Sequence, residues 1–541
     1  MKLFGMLYKF LFCAYIYSWL AKMSALSSDV QKRILRVFAV SLPAKMLTFG
    51  LGVWATRAMT AEAKGISFTF EVYTLTSGFL AREAVRSTNA RQKVDLRGPD
   101  SIRKIANMAF CTLPIGLLAL LLGYFFFSFT QSGSEVYEGV LGTNPWLVLA
   151  LYGLGQAFDL YGETLQSVVQ ASMDLRVKAF WEAQGIITKL LTTIGLLKLG
   201  MDANVAISAG WFVYGMTLLA VVWRSVYWSK LPNDETGDGS FRRELFQIVR
   251  QHGLQIYPLT AWSCFLTNFR VWLEFFSESC LRLLLTEGEK FMLSAFGALS
   301  AQGIYDLVTN LGSLVARIIF RVWEESCFLA VSRCREDTTE QKRDRKSLLR
   351  RMTHWALYLG LLFSICGPPL SRTFLTVVYS SRWATDDAVQ VLSAYCYYVP
   401  LMGLNGLMEA FARGIATGRQ FNLIKGFMVA CSIAYLAACY FALAVFHLGV
   451  VGLIYANCAS MTLRILFSYM IIAQSDNSIT PLDIVQLPTP IMAVGGAVFV
   501  GTRFGTDHLL APIVGGIALV VAIVLSDETF KRFVRRNRRQ D

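Results

Sequence analysis

The chain runs to 541 residues, 55% of them hydrophobic and only 16% charged, with a mean hydropathy of +0.47. Soluble domains carry about 25% charged residues, so an ordinary soluble protein is excluded and a polytopic membrane protein is implied. The net charge of +14 would suggest nucleic acid in a soluble protein, but the positive-inside rule accounts for nearly all of it. No nucleic-acid partner is expected.

The first stretch, MKLFGMLYKFLFCAYIYSWLAKM, sets Lys2, Lys9 and Lys22 around a short aromatic-rich apolar core. An interfacial helix, a signal segment and a further span compete as readings. Residues 1–28 are read as an N-terminal interfacial extension, because the run is short and tyrosine and tryptophan favour the headgroup level.

From Asp29 onward, apolar runs follow one another, each of about the 20 residues that one span needs. They fall at 32–57, 62–86, 102–127, 144–172, 177–199, 204–228, 254–285, 303–332, 350–378, 387–413, 421–446, 449–473, 481–503 and 508–526. The expected fold class is all-α, with about 14 transmembrane helices. In the seventh span Arg270, Glu274, Glu278 and Arg282 recur at three- and four-residue steps, so one face of that helix should look into the protein interior.

Lysine and arginine concentrate in the even-numbered connections and the tail, above all in SRCREDTTEQKRDRKSLLRR and KRFVRRNRRQ. The even side, and with it the C terminus, is expected to be cytoplasmic. As charge runs, these segments set topology and meet anionic headgroups.

Two correspondences recur at a step of six helices. SGFLAREAVRS sets Arg82 and Arg86 in the register A-R-x-x-x-R, and VARIIFR repeats that register at Arg317 and Arg321. Glu163 stands before Lys178 at almost the distance that separates Glu409 from Lys425. The expectation is two six-helix lobes related by a pseudo-two-fold axis along the membrane normal, plus two C-terminal helices, with a substrate site between the lobes. The segments are then 29–230 (N-lobe, spans 1–6), 231–253 (cytoplasmic linker), 254–474 (C-lobe, spans 7–12), 475–527 (spans 13 and 14) and 528–541 (basic cytoplasmic tail).

Ionisable residues at membrane depth are costly and mark functional addresses. Arginines four apart share one helix face, and paired guanidiniums suit phosphate. Arg82, Glu83, Arg86, Arg317, Arg321 and Glu325 are therefore the candidate lining of a cavity for a lipid pyrophosphate, with Lys45 and Arg57 as further candidates. The competing reading is structural, in which these arginines pair with Glu83, Glu324 and Glu325 and lock the lobes. Arg413, after Glu409, is a weaker candidate for the same cavity, and Glu163, Glu409 and Arg413 are otherwise expected in lumenal or structural roles. LLLTEGEKF, with Glu287, Glu289 and Lys290, is placed in a short lumenal loop between spans 7 and 8, either as a solvated turn or as acids that bind sugar hydroxyls, an ion or a partner.

Several chemistries are not expected. The chain has no G-x-x-x-x-G-K-[ST] and so no nucleotide-driven pump of its own. The odd-side loops are too short to cover a sugar acceptor, which argues against a membrane glycosyltransferase or any other enzyme. Seven of the eleven cysteines (Cys111, Cys264, Cys366, Cys396, Cys431, Cys439 and Cys458) lie in apolar runs, and the four histidines are scattered, so no disulfide framework, metal or cofactor is expected.

FLAREAVR, LLLTEGEKF and GIYDLVTNLGSLVARIIFRVWEES closely resemble the Rft family of eukaryotic endoplasmic-reticulum membrane proteins, and the likeness extends from about Asp29 to the C terminus. Ser87 follows Arg86 where the family pattern calls for a second arginine. The resemblance implies the fold of the multidrug/oligosaccharidyl-lipid/polysaccharide exporters. It also implies passage of the dolichol-pyrophosphate heptasaccharide, five mannoses on two N-acetylglucosamines, from the cytosolic to the lumenal leaflet for asparagine-linked glycosylation. The partners expected are that glycolipid, membrane lipids and glycosyltransferases of the same pathway. Alternating access without ATP is the first functional reading. A non-transporting accessory that binds the same glycolipid is the second. A drug or ion antiporter fits the arginine pairs less well, since they favour anions.

Overall fold

The computed structural model describes residues 48–91, 99–131, 134–142, 144–171, 175–227, 258–315, 319–333, 339–475, 479–481, 487, 489–504 and 510–526. Among these there is no strand. The expected interfacial extension, the linker 231–253, the basic tail, Lys45 and Arg317 lie outside the described residues.

Residues 52–486 form one compact unit. Its helices are α1 (Ala61–Arg91), α2 (Pro99–Phe110), α3 (Thr112–Gln131), α4 (Glu135–Leu141), α5 (Pro145–Ala171), α6 (Leu175–Lys198), α7 (Ala203–Tyr227), α8 (Pro258–Thr267), α9 (Phe269–Phe296), α10 (Leu299–Val315), α11 (Arg321–Arg333), α12 (Thr339–Val378), α13 (Asp386–Ile415), α14 (Gly418–Tyr440) and α15 (Gly449–Ser475). The second unit takes in, among the described residues, 48–51 and the stretch from 487 to 526. Its α16 (Thr489–Phe504) and α17 (Leu510–Ser526) pack together, with Gly515 against Val498.

Five of the described helices are long and apolar enough to cross a membrane, and two shorter apolar helices follow at Pro490–Thr502 and Ala511–Ile523. The surface is inverted relative to a soluble protein. On α3, Leu118, Leu121, Leu122, Phe125 and Phe129 are exposed at three- and four-residue steps, while Gln131 is buried. A lipid-facing stripe outside and polar groups inside is what a bilayer selects. The chain is a multi-pass membrane protein.

Most expected spans coincide with a helix, and the departures have local causes. The third span breaks at Cys111 into α2 and α3, and the seventh breaks at Asn268, whose amide donates to the Cys264 carbonyl at 2.9 Å. α4, not expected, starts at Ser134, whose hydroxyl accepts from the Tyr137 amide, a side-chain N-cap. The predicted lumenal loop around Glu287 and Glu289 is instead the end of α9, which runs on to Phe296. Gly288 is no turn residue: it lies within α9 and faces the Leu436 side chain of α14.

Within 52–486, among helices α1–α7, α5 and α6 pack on α7 and α3 on α1, while α1 itself packs most extensively on α10 and α9; α12 to α15 gather around α13 and α15. The two sets meet where α1 lies against α9 and α10, and α2 against α8. The contacts described between α1 and α10 lie in their N-terminal halves. A Cβ on Gly65 would run into the Leu299 carbonyl, and one on Gly303 into the Ala61 carbonyl. Just beyond, Thr69 Oγ1 donates to Gln302 Oε1 at 2.7 Å. At the same end Arg57 Nη2 donates to the Val377 carbonyl and Trp383 Nε1 to the Thr56 carbonyl at 3.0 Å, while Gln131 Nε2 donates to the carbonyls of Ser294, at 3.2 Å, and Ala295.

Candidate functional site

One face of α1 is a buried polar stripe that faces α5. Ser77 accepts from Gln156 Nε2 at 3.4 Å; one and two turns on, Arg82 pairs through Nη2 with Asp159, and Arg86 grips Glu163 with Nε at 2.7 Å and Nη2 at 2.6 Å. Arg82 Nε also lies 3.3 Å from Glu163, outside good hydrogen-bond angle. Glu163 is wholly buried and also accepts from Ser167 at 3.0 Å. Two guanidiniums and two carboxylates make a locally neutral cluster. A carboxylate at full burial demands this kind of bidentate partner.

Glu83, on the next face of α1, accepts from Arg282 Nη1 of α9 at 2.8 Å, and Arg282 Nη2 reaches Glu278 at 3.0 Å. Arg270, Glu274 and Glu278 are exposed, and the Arg282 side chain is half exposed. Of the four residues expected to face the interior none is buried, and Arg282 is bonded to Glu83 of α1.

A second ionic group joins the two helix sets. Lys64 of α1 pairs with Asp306 of α10 at 2.5 Å, both side chains largely buried. Near it on α1, Glu71 accepts from Lys189 of α6 at 2.8 Å, and that ammonium sits 3.8 Å over the Trp211 ring.

The remaining candidates disperse. Arg57 serves the end of α12. Arg321 opens α11 and is exposed, Glu324 sits half-buried beside Gly406 of α13, and Glu325 falls on the same helix. The two A-R-x-x-x-R registers do not converge among the described residues: Arg82 and Arg86 are engaged with α5, and Arg317 lies outside the described residues. The Glu–Lys correspondence spans two helices in each half, Glu163 on α5 with Lys178 on α6 and Glu409 on α13 with Lys425 on α14. Glu409 meets Arg413 of its own helix at 3.7 Å, so the two glutamates occupy unlike environments.

Glu287 pairs with Lys290 at 2.6 Å on α9. Glu289, two residues on, accepts from the hydroxyls of Tyr305 and Tyr435 and from Asn457 Nδ2 at 2.9 Å. It borders a cavity of about 230 Å³.

Sequence reasoning missed Asp159, Lys64 and Asp306. For Asp159 a signal was present: D-x-x-x-E at 159–163 is the complement, in register and charge, of R-x-x-x-R at 82–86. For Lys64 and Asp306 none was, since their meeting depends on Gly65 and Gly303 letting two backbones touch. Among the described residues no three histidine, cysteine or acidic groups converge as metal ligands.

The architecture is that of the helical lipid and drug exporters. The solved structure "Lipid II flippase MurJ, inward closed conformation" superposes with a TM-score of 0.63 at 12% identity, covering 90% of this chain and 98% of that one. An inward-facing multidrug resistance MATE family transporter of the MOP superfamily gives 0.50 at 13% identity over 80% and 95%. At such identities the likeness is one of fold. The chain belongs to the Rft protein family, whose profile matches residues 37–537. Among curated relatives, the Man(5)GlcNAc(2)-PP-dolichol translocation protein of Candida glabrata is 29% identical over 80% of this chain and 81% of its own length. The protein of the same name from Xenopus tropicalis is 26% identical over 91% and 93%.

Proposed function

We propose that this protein carries the dolichol-pyrophosphate heptasaccharide across the endoplasmic-reticulum membrane, from the cytosolic to the lumenal leaflet, by ATP-independent alternating access and not as an enzyme. About 14 spans, two six-helix lobes, the two added helices and a cytoplasmic C terminus complete the reading. The relatives' names supply the cargo. The observation that supports the transport reading is the α1–α10 part of the seam, where a glycine contact, the buried Lys64–Asp306 pair and the Thr69–Gln302 hydrogen bond gather at one end, in the N-terminal halves of the two helices. Glu83–Arg282 and an apolar cluster around Trp272 continue the seam between α1, α2, α8 and α9. Polar contacts confined to one part of a seam, as between α1 and α10, can be exchanged as rigid sets rock. With even connections cytoplasmic, that end is lumenal, and the conformer is closed to the lumen.

The glycan crosses in the space between the lobes while the polyprenyl tail stays in lipid. Such a path spares the polar headgroup the several kcal/mol per unsatisfied group that hydrocarbon exacts. Because the cluster around Arg82 and Arg86 is neutral, phosphate binding there is an exchange. Pyrophosphate replaces Glu163 at Arg82, whose 3.3 Å contact is the longest of the four, with Arg317 and Arg321 reaching from the other lobe. The saturation of Arg82 and Arg86 also favours a second reading, an accessory protein that holds the glycolipid without moving it, since those arginines then serve the fold. Cysteine accessibility separates the two. A transporter shows labelling of the seam from both sides of the membrane; labelling confined to one side under all conditions overturns the transport reading.

A further inference from the structure

The cavity beside Glu289 lies between α9, α10, α13 and α15 and shares Asp306 with the ion pair that joins the helix sets. Its volume of about 230 Å³ is below the roughly 300–1,000 Å³ of pockets for drug-sized ligands, so it suits one ring, not a chain. Its charges are already answered. Glu289 is held by two phenols and an amide, Asp306 by Lys64 and by Asn310 Nδ2 at 2.9 Å, and Lys290 by Glu287. A satisfied lining offers little to a free ion but much to a neutral polyol, which needs donors and acceptors side by side. Tyr395 and Tyr398 add two rings in edge contact, 5.2 Å between centroids, at the wall. Aromatic rings beside carboxylate and amide groups match a pyranose, whose C–H face is apolar and whose rim is hydroxyl.

We infer that this cavity is a subsite for a single neutral sugar residue of the translocated glycan, and that a hydroxyl bound there competes for Asp306 and so loosens its pair with Lys64. The inference rests on the glycolipid reading above and adds to it the place where the sugar is recognised. It also gives a reason for the cavity to adjoin the seam: arrival of cargo weakens the contact that keeps the lumenal end shut.

The test is binding to the purified full-length protein in detergent, with two probes: dolichol-pyrophosphate heptasaccharide and sugar-free polyprenyl pyrophosphate. The wild type is expected to prefer the glycan-bearing lipid by about tenfold or more. Tyr398→Phe combined with Asn310→Ala is expected to cut that preference at least fivefold with the sugar-free lipid bound as before, and Glu289→Gln, nearly isosteric, to do the same. Equal loss of both lipids, or loss of neither, in both variants overturns the subsite. The translocation reading fails separately: a protein that keeps the glycan preference but moves no glycolipid across vesicles retains the subsite without being a flippase.

Discussion

Arg86 closes both oxygens of Glu163 in a two-bond fork, at 2.7 and 2.6 Å, at a point where the carboxylate has no exposure at all. Breaking a buried pair from one side strands a charge, which costs roughly 3–5 kcal/mol. Replacing both partners strands none. Arg86→Met is therefore expected to lower the melting temperature in detergent sharply, and Arg86→Met with Glu163→Met to recover most of the loss. A double variant no more stable than the single would show that the pair is not what holds α1 to α5.

Arg82→Lys tests the fork differently. An ammonium is a point donor and cannot span Asp159 and Glu163 as the guanidinium does. Glycolipid binding should fall severalfold while the melting temperature moves by a few degrees at most, since Arg86 still satisfies Glu163. Unchanged binding in that variant would assign Arg82 to the fold alone.

Much of this was legible in the sequence. Helix after helix could be placed because membrane spans announce themselves by length, and the arginine pairs because charge is rare there. What escaped was pairing. Arg82 and Arg86 read as free phosphate ligands until α5 is seen beside them, although Asp159 and Glu163 carry the matching register. LLLTEGEKF read as a loop because its charges fall between two apolar runs, and only the structure shows that α9 continues through it with Gly288 against the Leu436 side chain. Lys64 and Asp306 are 242 residues apart in sequence and meet only through tertiary structure.

That meeting sets the next expectation. A charge-assisted bond of this kind is worth roughly 1.5–3 kcal/mol, so Lys64→Ala should raise the labelling rate of a cysteine at Thr69, in a background free of native cysteines, by about tenfold or more. The exchanged pair Lys64→Asp with Asp306→Lys should bring it back toward the starting rate. Labelling indifferent to both would remove the ion pair from any gating role.

Gly65→Ala reaches the same seam without touching a charge. Its methyl would meet the Leu299 carbonyl, a backbone atom that no rotamer change can move, so α1 and α10 must separate. Labelling at Thr69 is expected to rise while binding of sugar-free polyprenyl pyrophosphate stays the same. A labelling rate unchanged from wild type would mean that the closed seam tolerates the added carbon.

The most direct measurement is reconstitution of the purified protein into liposomes carrying the dolichol-pyrophosphate heptasaccharide in one leaflet, with leaflet-specific accessibility followed over time without ATP. The account predicts equilibration that depends on the protein and slows severalfold in Lys64→Ala, whose seam no longer closes against the lumen. Equilibration no faster than in protein-free vesicles, by a protein that still binds the glycolipid, would contradict it and make the chain a holder of this lipid.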